Sequence, residues 1–197
     1  MALPVVSTPQ LVMCLGDSIR QFYQPYATVE LGDDAYVIGP WDNCQYALYT
    51  LSTLDIWIKE TATPQIVHWN NGLHDLGHNP NRSPEQMPVD MYVENLRFIL
   101  NRLRDYTPKI IFALTTPVKP MPVVPGMWWW DNNDVIKYNK AAKALMESEG
   151  VPINDLYSVV YPHIDEYIGS DGVHPTAKGC KAMGRAVAKS IRDHYIP

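Results

Sequence analysis

The chain has 197 residues, of which 46% are hydrophobic, and a formal net charge of −5. This length fits one globular domain with a full hydrophobic core, expected to cover residues 1–197. The acidic balance and the scattered Lys and Arg argue against nucleic acid as a partner, and no apolar run reaches the roughly 20 residues of a membrane span.

Five short apolar runs predict β-strands. Glycine, proline or polar residues bound them, as is typical of short strands buried in a sheet. They cover residues 11–15, 35–39, 66–69, 109–117 and 151–155.

Four stretches with apolar residues at helical spacing predict α-helices between and after these strands. They cover residues 45–59, 91–106, 131–149 and 176–194. The segment 117–130 holds four prolines and three consecutive tryptophans, which predicts a loop. Strands separated by helices indicate a three-layer α/β/α sandwich, with a five-stranded parallel sheet in flavodoxin-like order and helices on both faces.

Polar clusters follow the first four strands, and a fifth cluster, SDGVHPT, precedes the last helix. The four are GDSIR, GPWDNC, NNGLHD and TTPV. In parallel sheets, ligands bind beyond the carboxyl ends of the strands, so one site is expected at this edge.

Ser18, Asp171 and His174 are the candidate catalytic residues. Ser18 follows a strand end, where its hydroxyl would face the mouth of the sheet. A serine hydroxyl needs a base to become a nucleophile, and Asp171 three residues before His174 could orient the imidazole for this role. Taken alone, DGVHPT is also typical of a turn followed by a helix start, with Pro175 in the first turn.

The blocks LGDSI and DGVHPTAKGCKAMGRAVA resemble those of the SGNH, or GDSL, hydrolase family of esterases and lipases. The resemblance implies the SGNH hydrolase fold over essentially the whole chain, and ester hydrolysis through an acyl-serine intermediate without metal or cofactor. It implies that Ser18 is the nucleophile, His174 the general base and acid, and Asp171 the residue that orients the imidazole.

The same resemblance implies an oxyanion hole that includes a side chain after the third strand. The family has Gly-x-Asn-Asp there, whereas residues 72–75 of this chain are Gly-Leu-His-Asp. An imidazole N–H is a competent donor, so His74 is the expected donor, with Asn71 or Asn70 as the alternative. Asp75 is expected to hydrogen-bond the loop backbone.

Two backbone N–H groups complete the hole implied by the resemblance. One belongs to Ser18. The other comes from the segment GPWDNCQYAL, where Cys44 is expected to take the place of the family's glycine, at the start of the next helix. Gly39 is the alternative.

Side chains near these loops are candidates for binding the substrate: Asp17, Arg20, Trp41, Asn43 and Trp129. The Arg20 side chain could bind an anionic or hydroxyl-rich substrate, or pair with a carboxylate. The tryptophans at 128–130 could wall a sugar or aryl group, and equally could anchor a loop or form an oligomer contact.

His74 and His78 have the four-residue spacing that binds zinc when both lie on a helix. The glycines and the proline around them argue against a helix at this point, so no metal site is expected. His68, within the third strand, is expected to be a core histidine.

The cysteines and the chain start favour a cytoplasmic location. Three cysteines without CxxC spacing suggest neither a disulfide framework nor a zinc site. The start, MALPVVSTPQ, lacks the charged and apolar regions of a signal peptide, although a trimmed signal is compatible with the sequence.

Together these features predict a serine esterase for short-chain esters, with acetylated carbohydrates as the leading substrate by resemblance. The sequence shows no lipase-like lid or long apolar groove, which favours short acyl groups. Two alternatives are acyl transfer to an alcohol or sugar by the same triad, and a ligand-binding module without turnover. The expected partner is a small-molecule or carbohydrate ester, and a homo-oligomer is compatible with the sequence.

Overall fold

The computed structural model describes residues 8–81 and 85–196. Residues 1–7, which carry most of the expectation about an export signal, lie outside the described residues. Within the described part, five strands form one parallel sheet: β1 Gln10–Leu15, β2 Ala35–Ile38, β3 Ile66–Trp69, β4 Ile110–Ala113 and β5 Ile153–Asn154. Their order is β2-β1-β3-β4-β5, which confirms the flavodoxin-like arrangement.

The helices of the described residues are α1 Ser18–Leu31, α2 Ala47–Glu60, α3 Leu73–Leu76, α4 Val89–Arg104, α5 Asn132–Ser148, α6 Leu156–Val160, α7 Ile164–Tyr167 and α8 Ala177–Tyr195. Short 3₁₀ turns cover Gly32–Asp34 and Tyr161–His163. None of the described helices has the length and apolarity that crossing a membrane requires.

The helices form two layers around the sheet. Helices α1 and α8 pack against each other, whereas α2, α4 and α5 contact one another in a row. Every residue of β3 and β4 is buried, as is expected for central strands covered on both faces. The predicted three-layer sandwich is therefore confirmed.

Helix α1 is the longest helix that the sequence pattern does not predict; the short helices α3, α6 and α7 are not predicted either. Its buried side chains include Ile19, Tyr23, Ala27 and Leu31, which recur every four residues and cover only a narrow stripe. Pro25 also interrupts the stretch, and proline within a helix removes one hydrogen bond and strains the turn before it. Packing on α8 stabilises this helix where its own propensity does not.

Two features of the secondary structure near the site also differ from expectation: the start of α2 and the presence of α3. Helix α2 begins at Ala47 rather than near Cys44, because the Asp75 carboxylate accepts the Ala47 N–H at 2.9 and 3.2 Å. The expectation of no helix around His74 is wrong, since Leu73–Leu76 form a single helical turn between two glycines. That turn is too short to include His78.

Candidate active site

Ser18, His174 and Asp171 meet at the carboxyl edge of the sheet. Ser18 is the first residue of α1, and its Oγ lies 2.9 Å from His174 Nε2. The other ring nitrogen, Nδ1, lies 2.7 Å from Asp171 Oδ2. The structure therefore arranges the three residues in the hydrogen-bonded order of a catalytic triad.

The turn that carries Asp171 and His174 favours the charged form of Asp171, and this charge in turn sets the tautomer of the His174 ring. The second carboxylate oxygen of Asp171 accepts the N–H groups of Val173 and His174, each at 3.0 Å. Burial alone would raise the pKa of Asp171, but these N–H groups and the imidazole outweigh it and lower the pKa below its ordinary value. A charged Asp171 holds the proton of His174 on Nδ1, which leaves Nε2 free to accept the proton of Ser18.

The start of α1 also leaves one backbone N–H group, that of Ser18, available as a donor. Asp17 caps the helix, and its Oδ1 accepts the Ile19 N–H at 2.9 Å. Among the described residues, no acceptor is found for the N–H of Ser18 itself. This N–H sits at the positive end of a fourteen-residue helix, where a developing negative charge is stabilised.

The segment after β3 presents His74, and not Asn71, to the site. The Asn71 amide is buried and donates to the Gln45 carbonyl and the Thr50 hydroxyl, each at 3.0 Å. Its oxygen accepts the indole N–H of Trp69 at 2.6 Å. Both ends of the Asn71 amide are therefore already hydrogen-bonded within the protein. The expectation that Asn71 is the alternative oxyanion donor is corrected.

Asn70 and Asp75, the neighbouring polar residues of this segment, also hydrogen-bond backbone groups of the protein. The Asn70 amide donates to the Ala113 carbonyl at 3.0 Å. Asp75 is fully buried, and burial raises its pKa well above the ordinary value although the Ala47 N–H opposes the shift. His74 is half-buried, and no hydrogen-bond partner for its imidazole is found among the described residues.

Cys44 does not supply the expected backbone donor. Its N–H donates to the Gly16 carbonyl at 3.1 Å and so is already satisfied. Burial also raises the pKa of the Cys44 thiol to about 11, only partly offset by Arg20. Gly39, the alternative, packs against the Cys14 carbonyl and does not line the site. The prediction for Cys44 is therefore corrected.

Three of the expected substrate-binding side chains do not line the cavity that contains Ser18 and His174. Arg20 is only 3% exposed and donates to the carbonyls of Asp42, at 2.7 Å, and Gly16, at 3.4 Å, so it ties two loops together instead of binding substrate or a carboxylate. Trp41 is 83% exposed and lines a separate surface depression of about 590 Å³ that includes no triad residue. Trp129 stacks on His78, with ring centroids 3.6 Å apart, and lines a neighbouring cleft that includes Asp171.

His74 and His78, whose spacing of four was noted in the sequence, have different surroundings. His78 Nε2 lies 2.9 Å from Asp134 Oδ2, whereas His74 faces the site. Within residues 8–81 and 85–196, no group of three or more His, Cys, Asp or Glu side chains is placed to hold a metal ion.

One cavity of about 210 Å³ joins these groups; we call it the active-site cavity. Its polar wall consists of Asp17, Ser18, Asn43, His74 and His174. Its apolar wall consists of Leu73, Trp130 and Val173. Asp17 and Asn43 are thus the two expected substrate-binding residues that the structure places at the site.

Sequence reasoning missed the aromatic residue Phe22 near the site, whereas Trp130 belongs to the run 128–130 that was considered as a wall for the substrate. The ring of Phe22 lies 5.5 Å from that of His174, and Trp130 closes the apolar end of the active-site cavity. The spacing of four between Ser18 and Phe22 would place both on one helical face, but it carries this signal only if α1 is recognised as a helix. Trp130 directly precedes Asp131, which caps α5.

Comparisons with known proteins identify the family of the chain. The model of the GDSL-like lipase/acylhydrolase family matches residues 14–182. A comparison with curated proteins finds no significant match.

Similar solved structures include esterases and lipases. An acetylxylan esterase from Geobacillus stearothermophilus has 15% identity and a TM-score of 0.76, over 94% of this chain and 95% of its own. A GDSL-like lipase from Bacteroides thetaiotaomicron has 18% identity and a TM-score of 0.74, over 95% and 92%. A lipase/acylhydrolase from Enterococcus faecalis has 20% identity and a TM-score of 0.70, over 93% and 96%. The family match covers most of the chain, so this chain belongs to the GDSL-like lipase/acylhydrolase family and is a hydrolase that acts on ester bonds.

Proposed function

We propose that the chain is a serine esterase that removes short acyl groups, acetyl in particular, from hydroxyl-rich substrates such as carbohydrates. The observation that carries the proposal is the hydrogen-bonded series Asp171–His174–Ser18, which ends in a small cavity. The similar acetylxylan esterase structures support the choice of an acetylated carbohydrate.

In the first half of the reaction, Ser18 Oγ attacks the ester carbonyl while His174 Nε2 takes its proton. The carbonyl oxygen becomes an oxyanion, to which the Ser18 N–H and the His74 imidazole, both in the active-site cavity, donate hydrogen bonds. As the tetrahedral intermediate collapses, the C–O bond to the alcohol breaks and His174 returns the proton to the departing alcohol oxygen. Ser18 then carries the acyl group.

In the second half, a water molecule attacks the acyl carbonyl and His174 removes its proton. The same donors stabilise the second oxyanion, and the acid leaves when His174 reprotonates Ser18 Oγ. The His174 side chain is 41% exposed, so water reaches the base directly. This access favours hydrolysis over transfer to another alcohol.

The size of the active-site cavity supports a short acyl group. Its volume of about 210 Å³ lies below the roughly 300–1,000 Å³ of pockets that enclose drug-sized ligands. The apolar wall of Leu73, Trp130 and Val173 leaves room for a small hydrocarbon group beside the reacting carbonyl.

A panel of esters tests the proposal. We expect hydrolysis of p-nitrophenyl acetate and of acetylated xylo-oligosaccharides, with activity declining toward p-nitrophenyl octanoate. The Ser18→Ala variant should lose activity by about 10⁴-fold or more at an unchanged melting temperature, because it removes only the nucleophilic oxygen. Ester cleavage that survives this substitution, or a wild-type enzyme that cleaves none of the acetates, would refute the proposal.

A further inference from the structure

The segment between β2 and α2 approaches the reacting serine but offers it no backbone donor. The Asn43 N–H donates to Asp42 Oδ1 at 2.8 Å, and the Cys44 N–H donates to the Gly16 carbonyl at 3.1 Å. The Gln45 N–H donates to Asn43 Oδ1 at 2.8 Å. All three backbone N–H groups of residues 43–45 are therefore satisfied within the protein.

Asn43 is the residue of this segment that lines the active-site cavity. Because its Oδ1 accepts the Gln45 N–H, the oxygen is identified by its donor and the NH₂ group must lie at the other end of the amide. Among the described residues, no acceptor is found for this NH₂ group. The amide thus brings free donors to the cavity that contains Ser18 and His74.

The surroundings hold the Asn43 amide in place. Arg20 donates to the Asp42 carbonyl at 2.7 Å, and the Tyr49 hydroxyl donates to Asp42 Oδ2, also at 2.7 Å. Gln45 has a φ of 49°, an unfavourable conformation for this residue type that the bond to Asn43 Oδ1 helps to maintain. A donor fixed before the reaction stabilises developing charge without reorganising.

We infer that the side-chain NH₂ group of Asn43 is an oxyanion donor, which completes a hole formed by the Ser18 N–H and the His74 imidazole. Each donor comes from a different segment: the start of α1, the loop before α2, and helix α3. The inference rests on the proposed function, and it makes Asn43 a catalytic residue that acts on the transition state rather than on ground-state binding.

Two substitutions separate this role from a structural one. Asn43→Asp keeps the oxygen that accepts the Gln45 N–H and removes the donor, whereas Asn43→Ala removes both. With p-nitrophenyl acetate, we expect both variants to lose about 10²–10³-fold in kcat with little change in KM. Asn43→Asp should retain the wild-type melting temperature. Asn43→Asp adds a carboxylate that could repel the oxyanion, whereas Asn43→Ala adds no charge. An equal loss of kcat in both variants therefore reports the missing N–H donor and not charge repulsion.

The result that overturns the inference is a folded Asn43→Asp or Asn43→Ala enzyme whose kcat lies within about threefold of wild type. A loss confined to Asn43→Ala, in proportion to a lower melting temperature, would also overturn it, since it would assign Asn43 only to the turn. A failure of the proposed function would look different, because the wild-type enzyme itself would then cleave no acetate ester.

Discussion

At position 74 an imidazole faces a cavity that also contains a buried carboxylate. Asp17 is fully buried and its Oδ2 has no hydrogen-bond partner among the described residues. Burial raises the pKa of Asp17 above its ordinary value, and the nearby His74 only partly opposes this shift. His74 therefore lies close to the Asp17 carboxyl as well as to Ser18.

We expect His74→Ala to lower kcat by about 10²–10³-fold with a small change in KM, because it removes one donor to the oxyanion. His74→Asn should recover most of this loss, since an amide N–H can donate in the same direction. Steady-state kinetics with p-nitrophenyl acetate at pH 7.5 compare the three enzymes. A His74→Ala enzyme as fast as wild type would contradict the assignment of His74.

At the residue scale, the sequence predicts those site residues that lie together in short motifs. Ser18 and the pair Asp171 and His174 each lie in a motif whose spacing suffices to suggest the chemistry, and the structure places them within hydrogen-bond distance. The status of the Cys44 N–H could not be predicted in this way, because its acceptor is the carbonyl of Gly16 in another loop. Contacts between loops decide which donors remain free.

At the scale of elements, the loop 117–130 connects the two halves of the active site. The Lys119 N–H donates to the Gly172 carbonyl, within the turn that carries the triad, at 2.8 Å. The Trp130 indole donates to the Leu73 carbonyl, at the start of α3, also at 2.8 Å. Gly77 lies beneath this indole, where an added Cβ would be 2.9 Å from its nitrogen. The loop thus positions Trp130 as a fixed wall.

Trp130 also lines an adjoining cleft of about 60 Å³ together with Met121 and Trp128. We expect Trp130→Ala to join this cleft to the active-site cavity and to admit longer acyl chains. The ratio of kcat/KM for p-nitrophenyl octanoate over acetate should rise about tenfold, which corresponds to burying roughly two more methylenes at ~0.8 kcal/mol each.

Trp128→Ala is the matched control for this prediction, because Trp128 lines the adjoining cleft but not the active-site cavity. Its octanoate-to-acetate ratio should stay near that of wild type. An equal rise in both variants would point to general loosening of the loop, and no rise in Trp130→Ala would remove Trp130 as the limit on chain length.

The elements themselves were predictable to different degrees. Apolar runs identify the central strands β3 and β4 well, because a strand covered on both faces needs apolar residues nearly throughout. The edge strands β2, which is partly exposed, and β5, which is Ile153–Asn154, carry a weaker apolar signal. Helix α1 gives a weaker signal, with Pro25 in its middle, and it depends on packing against α8. The turn α3 exists between two glycines that, by sequence, argue against a helix.

At the scale of the whole molecule, the core contains a histidine that remains neutral. His68 is fully buried, with Nδ1 3.2 Å from the Tyr23 hydroxyl and Nε2 3.0 Å from the Asn154 amide nitrogen. Because the amide donates to Nε2, a proton on that nitrogen would have no acceptor there. Burial lowers the pKa of His68 to about 3.

This pKa predicts a loss of stability in mild acid. In the unfolded chain His68 takes up a proton near pH 6.5, whereas in the folded protein it does so only near pH 3. Between these values the unfolded state binds more protons, so the free energy of unfolding from this residue falls by up to about 1.4 kcal/mol per pH unit as the pH decreases. Above pH 6.5 it should contribute no pH dependence.

Urea denaturation of wild type and His68→Gln between pH 7.5 and 4.5 measures this effect. The variant should be less stable at pH 7.5 and should show a shallower decline toward pH 4.5, since glutamine does not titrate. Other groups titrate equally in both proteins, so the difference between the two curves isolates His68. Parallel curves would contradict the prediction.

The packing of α1 on α8 has a consequence for when the enzyme can work. Ser18, the proposed nucleophile, lies at the first turn of α1, and His174, its proposed base, lies in the turn that leads into α8. Gly184 of α8 lets the two helices touch, since a Cβ there would be 2.5 Å from that of Tyr26. A chain in which α8 has not docked on α1 cannot hold His174 beside Ser18 through this contact. The proposed ester cleavage thus requires that these two helices, which are far apart in the sequence, have come together.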